Sequence, residues 1–295
     1  MRTLHYTVPP EWDGKMVKGV LRGALQLSYS LLKSLKWREN AILLNGVPVH
    51  VNAIVHTGDE LSVTLSERGA PPPFVVPCTM ALDIVYEDED LLVINKPALV
   101  AMHPKSDDPD SPSMAGALLA YLGSGSVAHF VSRLDKGTSG LFLAAKTGYM
   151  HDRLRTALHT QALYREYRAV AVGHVTPERG EIDLPIGRAE GSIVKRCVSP
   201  DGLPSRTSYE VLAQNERFTL LRLIPHTGRT HQLRVHLSAL GYPLAGDWLY
   251  GTEDKKLIAR PALHSYLLRF THPITGKELC FTAPIPQDMQ KLITP

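Results

Sequence analysis

The 295-residue sequence predicts an α+β protein with a mixed, largely antiparallel sheet. Two observations carry this. Apolar, β-rich runs are joined by hairpin-length turns, as in SYEVLAQ-NER-FTLLRLI and HSYLLRF-THPITGK-ELCFTA. Helical periodicity is confined to a few inserted stretches, so strands follow strands rather than alternating with helices. A third observation divides the chain. The run SERGAPPPFVVP, residues 66–77, holds three consecutive prolines and favours an extended, semi-rigid connection. We read residues 1–67 as a small module, 68–80 as a linker and 81–295 as the main domain.

Within the module, VKGVLRGAL and SYSLLKSLKW predict two short helices. Leu21 and Leu25, then Leu31, Leu32 and Leu35 after a Ser28 start signal, recur at helical spacing. The segment AILLNGVPVHVNAIVHTGDELSVTL follows as short strands broken at Asn45-Gly46 and Gly58-Asp59. Beyond the linker, Leu91 to Asn95 and Leu141 to Ala145 are buried-strand runs. Arg165 to Val172 alternates, with Arg165, Tyr167, Ala169 and Ala171 on one face and Glu166, Arg168, Val170 and Val172 on the other. Leu233, Leu237 and Leu240 mark a helix that stops at Gly241 before Pro243. The long stretch GRAEGSIVKRCVSPDGLPSRT reads as a loop. There is no internal repeat.

Composition excludes several classes. With 44% hydrophobic and 21% charged residues the chain has material for a folded core. Three scattered cysteines without CxxC argue against a disulfide framework or a cysteine-rich zinc site and fit a reducing, cytoplasmic setting. No apolar leader segment and no membrane-length apolar run occurs. A net charge of +3 permits a nucleic-acid partner without demanding one.

The chemistry concentrates in two places. SRLDKGTSGLFLAAK, from Ser132 to Lys146, sets Arg133 and Asp135 at the mouth of a glycine turn before an apolar strand. Asp135 opens a turn on its most ordinary reading. A carboxylate nucleophile presented at a strand mouth is the chemical alternative. The phosphorylation loop of cation-pumping ATPases is a third, disfavoured by the order of Thr and Gly and by the lack of membrane segments. The second place is PHTGRTHQLRVHLSALGYPLAGDWLYG, residues 225–251, where Arg229, His231, Arg234 and His236 crowd a helix start and form a candidate anion-binding cluster. His226, His231 and His236 are spaced by five, which is unsuited to a shared metal on one helix face.

Together these segments resemble the RluA family of RNA pseudouridine synthases. RLDKGTSG is similar to its H-R-L-D-x-x-T-S-G signature, and LLVINKPALVAMHP, YREYRAVAVG, TGRTHQLRVHLSALGYPLAGDWLYG and ALHSYLLRFTHPITG match further motifs in the family's order. Residues 83–286 are covered. The N-terminal module resembles, more loosely, an S4 RNA-binding domain. Two departures stand out: Ser132 replaces the usual His, and Leu99 replaces the glycine of K-P-x-G.

The resemblance implies a pseudouridine synthase fold and an isomerase that converts specific uridines of structured RNA, most naturally ribosomal RNA, to pseudouridine after flipping the base out. It implies Asp135, Tyr167 and Arg234 as catalytic residues, and Arg133, Thr138, Arg229, His231, Lys195 and Arg196 as RNA-binding or base-flipping residues. The small Ala169 and Ala171 on the Tyr167 face are expected to leave room for its ring to stack on the flipped base. Gly137 and Gly140 are expected to let the turn lie close to the RNA. The reaction needs no cofactor or metal, and a monomer bound to RNA, without membrane attachment, is expected. A tRNA target and a non-catalytic RNA-binding or ribosome-assembly factor remain open. So do two readings of Lys15, Lys18, Arg22, Lys33, Lys36 and Arg38: phosphate contacts, or a solvated helix face.

Overall fold

The structure, a computed structural model, describes residues 2–65, 75–104, 108–123 and 129–294. The expected proline linker lies largely outside them. No helix among the described residues is long and apolar enough to cross a membrane.

The first 65 residues build a four-stranded antiparallel sheet from β1 (Arg2–Thr7), β2 (Ile42–Leu44), β3 (Val47–Pro48) and β4 (Glu60–Leu65), in the order β1-β4-β2-β3. Two helices cover it, α1 (Val17–Gly23) and α2 (Tyr29–Leu35). Ser28 caps α2 by accepting a hydrogen bond from the Leu31 amide. Asn45 and Gly46 both have positive φ, 50° and 79°, which a tight two-residue hairpin requires. Val20, Leu21, Leu32, Leu35 and Val63 form a core of their own.

The larger part begins with β5 (Ile84–Glu87), β6 (Leu91–Lys96), α3 (Met114–Leu122), β7 (His129–Phe130), β8 (Ser139–Ala145), α4 (Gly148–His159) and β9 (Tyr164–Val172). It continues with β10 (Arg179–Asp183), β11 (Ile186–Arg188), β12 (Arg196–Val198), β13 (Arg206–Gln214), β14 (Phe218–Pro225), α5 (Gln232–Ala239), β15 (Leu263–Thr271), β16 (Glu278–Thr282) and α6 (Gln287–Ile293). The main sheet runs β10-β13-β14-β9-β15-β8-β6-β5, with β16 added to β15 and β7 to β8. Its pairings are antiparallel except β15 with β8, where His264 and Ser265 lie beside Ser139 and Gly140.

That central position explains the unbroken apolar runs. Leu92, Ile94, Phe142 and Ala144 point into one core, and Leu91, Val93, Leu141, Leu143 and Ala145 into another on the opposite face. A strand covered on both sides has no polar face to alternate with. Helix α4, whose apolar periodicity is weak in the sequence, supplies Met150 and Leu154 to the second core and Tyr149 to the core of the small unit.

Three expectations need correction. The stretch read as a loop forms the hairpin β11–β12, with Ile186 beside Val198 and Arg188 beside Arg196, and Arg206 already opens β13. Ala169 and Ala171 leave no room for a base, because both are fully buried in the core with Leu221 and Leu244. The glycines serve the protein's own packing rather than an approach to RNA. A Cβ on Gly140, whose φ is +104°, would meet the Ser265 carbonyl oxygen at 2.2 Å, and one on Gly137 would meet Pro261 at 2.8 Å.

Leu99, which takes the place of the family glycine, sits at φ 66°. This left-handed backbone costs roughly 1–2 kcal/mol for a residue with a Cβ. Leu99→Gly is expected to raise the unfolding free energy by ~0.5–1 kcal/mol, once the extra chain entropy of glycine is subtracted. Leu99→Val should lower it, since a branched Cβ tolerates this region least. Urea denaturation of both variants checks the order.

Candidate active site

Asp135 lies on the short connection from β7 into β8. Leu134 is buried in the core, which turns its neighbours Arg133 and Asp135 outward. The Asp135 carbonyl accepts the Thr138 amide at 3.0 Å and closes the turn. Behind it, Lys96 at the end of β6 is almost fully buried. Its Nζ donates to the carbonyls of Pro97 (2.9 Å), Val100 (2.8 Å) and Lys136 (3.2 Å). Burial, reinforced by the charge of Arg260, pushes the Lys96 ammonium down to about 7. One side chain therefore ties the Leu99 loop to the Asp135 turn.

Arg234 comes from α5. Its Nη1 donates to Asp135 Oδ2 at 3.2 Å. Its stronger partner is Asp247, which the sequence reading did not single out. Nε and Nη2 reach Asp247 Oδ2 and Oδ1 at 2.7 and 2.8 Å, a two-pronged pairing with a carboxylate that is wholly buried. Burial works against the Arg234 charge, but the hydrogen bonds and charge of Asp247 outweigh it and hold its pKa above the usual value. Asp247 Oδ1 also accepts the amides of Leu249 and Tyr250.

His231 precedes α5 in the left-handed region, φ 59° and ψ 16°, a strained placement of the kind found at functional sites. The Tyr250 hydroxyl accepts the Arg196 amide (2.9 Å) and meets His231 Nδ1 at 2.8 Å. The other ring nitrogen, Nε2, faces Asp135 Oδ1 at 3.9 Å. Burial pushes the His231 pKa down, with the Asp135 charge opposing. Gln232 fixes the preceding loop: its Oε1 accepts from Thr227 Oγ1 and the Arg229 amide, and its Nε2 donates to Arg206 O and Thr207 Oγ1.

These groups converge on one cavity of about 360 Å³. Arg133, Asp135, Thr138, Tyr167, Arg229, His231 and Arg234 all line it. Lys195 and Arg196 do not; they lie at the β11–β12 hairpin, Lys195 exposed, with the Arg196 backbone on Tyr250. His236 does not join the cationic cluster either. It is fully buried, bonded to Thr207 Oγ1 and Leu184 O, and burial lowers its pKa. Helix α4 adds His151, Arg155 and His159 to the lining.

A sequence model described as RNA pseudouridylate synthase matches residues 90–239, which include Asp135, Tyr167 and Arg234. The chain belongs to this family. It is 40% identical over 273 residues to YjbO of Bacillus subtilis (strain 168), named an uncharacterised RNA pseudouridine synthase, covering 92% of this chain and 96% of that one. Ribosomal large subunit pseudouridine synthase D of Vibrio parahaemolyticus is 44% identical over 223 residues, 70% of this chain and 68% of that one. Among solved structures, human RNA Pseudouridylate Synthase Domain Containing 1 superposes with a TM-score of 0.58 at 29% identity, covering 69% of this chain and 83% of that one. The pseudouridine synthase fold and an isomerase acting on RNA are thereby established.

Among the described residues one group of side chains has the spacing of a metal site, Asp88, Asp90 and His272, away from the cavity. His272 Nδ1 accepts the amides of Ile274 and Thr275, so in the neutral ring Nε2 carries the proton toward Asp88. A protonated Nε2 offers a cation no lone pair.

Two outcomes follow from this geometry. Arg234→Leu strands the buried Asp247 carboxylate and should cost ~3–5 kcal/mol of stability, whereas the double change with Asp247→Leu should recover most of it; guanidinium denaturation compares the two. The second concerns His264, buried between Ser139 Oγ and Ala283 O, where burial lowers its pKa from 6.5 to about 4. Between those values the unfolded chain binds the proton and the folded chain does not. Stability should therefore fall as pH drops from 6.5 to 4, by up to about 3 kcal/mol from this group. Denaturation across that range should show a shallower slope for His264→Gln than for the parent.

Proposed function

We propose that Asp135 is the catalytic carboxylate of this RNA pseudouridine synthase, with Arg234 and Tyr167 as its partners, and that the substrate is structured ribosomal RNA. The observation that carries the reading is the 3.2 Å contact from Arg234 Nη1 to Asp135 in a cavity that Tyr167 also lines.

The reaction breaks the bond from C1′ to N1, turns the base, and joins C1′ to C5; N1 gains a proton and C5 loses one. No atom is added, so the protein's task is to expose the base and to manage charge and protons. Extruding a stacked uridine costs a few kcal/mol. Arg133, exposed at the cavity rim, is suited to fill the vacated space. Tyr167, only 7% exposed, lines the cavity, where its hydroxyl can help remove the C5 proton by passing its own proton on as it accepts that one.

The ribosomal target rests on relatives named ribosomal large subunit pseudouridine synthase D. The small unit, read as an S4-like RNA-binding module over residues 1–67, fits a targeting role. Tyr29 (70% exposed), Lys33 and Trp37 (85% exposed) stand at spacings of four along α2 and just beyond it. Solvent-exposed rings interleaved with cations suit stacked bases and phosphates.

Asp135→Asn should abolish tritium release from RNA carrying 5-tritiated uridine while leaving RNA affinity within about twofold, because one oxygen is exchanged for an amide at a half-buried position. Substantial release by the variant would remove Asp135 from this role. Pseudouridine mapping in cells with and without the gene should show a loss in large-subunit ribosomal RNA; a loss confined to tRNA would overturn the target.

A further inference from the structure

Helix α4 has no part in the chemistry above, yet it forms a wall of the cavity. His151, Arg155 and His159 recur every four residues and so share one face, about 6 Å apart along the axis. All three line the Asp135 cavity. Arg155 and His159 also line a second groove of about 540 Å³, whose other side is made by Gln26, Ser28 and Ser30 of the small unit. The two residues therefore face both the active cavity and the groove leading to the small unit.

The position of α4 is fixed from the small-unit side. The Tyr149 hydroxyl donates to the Leu25 carbonyl at 3.0 Å, and Arg153 is hydrogen-bonded to Gln26. Arg153 is thereby occupied. Arg155 is exposed and makes no ion pair among the described residues. The one carboxylate lining the groove, Asp152, lies 3.9 Å from His151 Nδ1. An unpaired guanidinium at the junction of two polar grooves has a donor fork matched to a phosphate. The step from one residue of the stripe to the next is close to the separation of neighbouring phosphates along an RNA strand.

We propose that α4 is the rail on which the RNA backbone passes from the active cavity to the N-terminal unit, with Arg155 neutralising a phosphate and His159 donating beside it. The proposal rests on the RNA-modifying reading above and adds the path of the strand. It also gives the docking of the small unit a purpose: the unit holds the RNA in line with the cavity only if the strand between them is held too.

The test uses the full chain and a transcript of large-subunit ribosomal RNA with 5-tritiated uridine. Affinity is measured from 0.05 to 0.3 M salt for the parent, Arg155→Ala and Arg155→Lys. One lost phosphate contact should flatten the log–log salt slope by about 0.7–0.9 and weaken binding about fivefold at 0.1 M salt. Arg155→Lys should keep the parental slope, and the loss in Arg155→Ala should appear chiefly in KM. Unchanged affinity and slope in Arg155→Ala would overturn the proposal, as would equal losses in the Ala and Lys variants. The binding measurement stands apart from turnover. If the parent released no tritium from any RNA, the functional reading would fail while the slopes still decided the role of Arg155.

Discussion

Arg234 stands between two carboxylates of unequal exposure. Asp247, wholly buried, grips the guanidinium through two bonds and is itself held by two backbone amides. Asp135, open to the cavity, receives what is left of the fork. The buried pair fixes the plane of the guanidinium, and the plane fixes where its remaining N–H points. The desolvation cost of the buried pair is thus spent on geometry rather than on net stability. Two negative charges also share one positive charge, so Asp135 is oriented without being fully neutralised. Ring stacking under Arg234 by Tyr250, 5.0 Å away, and the Gln232 bonds to the preceding loop keep α5 in register with this arrangement.

How much of this was legible in the sequence depended on the physical signal each part left. Asp135, Tyr167 and Arg234 sit in motifs, and the structure brings all three to one cavity. The strands at 91–95 and 141–145 were legible because burial on both faces leaves unbroken apolar runs. Asp247 lay inside a quoted motif but carried no mark of its own. An aspartate after glycine reads as a turn, and only tertiary structure shows it sealed from water against an arginine thirteen positions away. A polar residue between Leu244 and Leu249 in an otherwise apolar stretch was the available hint. Helix α4 leaves a weak signal because its inward residues, Tyr149, Met150 and Leu154, are interrupted by the polar run His151-Asp152-Arg153, of which His151 faces the cavity and Arg153 the small unit. The β11–β12 hairpin was hidden by glycine, proline and serine, which signal turns more strongly than its three-residue strands signal pairing. The glycines of the signature show in the sequence that a close approach is needed, and the structure shows that Ser265 and Pro261 make it.

The site also depends on contacts that reach across the chain. Asp135 and Arg234 are 99 positions apart, and Ser139 and His264, which lock the one parallel pairing of the main sheet, are 125 apart. Joining ends at such separations costs about 4 kcal/mol of chain entropy by loop-closure scaling, and the cost is met only once the distant strands are present to pack. No contiguous segment holds the carboxylate, its guanidinium and the strand that seats them. During synthesis, Asp135 emerges well before α5 and β15 exist to receive it. A nascent chain that has made Asp135 but not yet residue 264 lacks an assembled centre. The carboxylate, its guanidinium and the strand that seats them are therefore complete only once residue 264 has been made and β15 lies between β9 and β8.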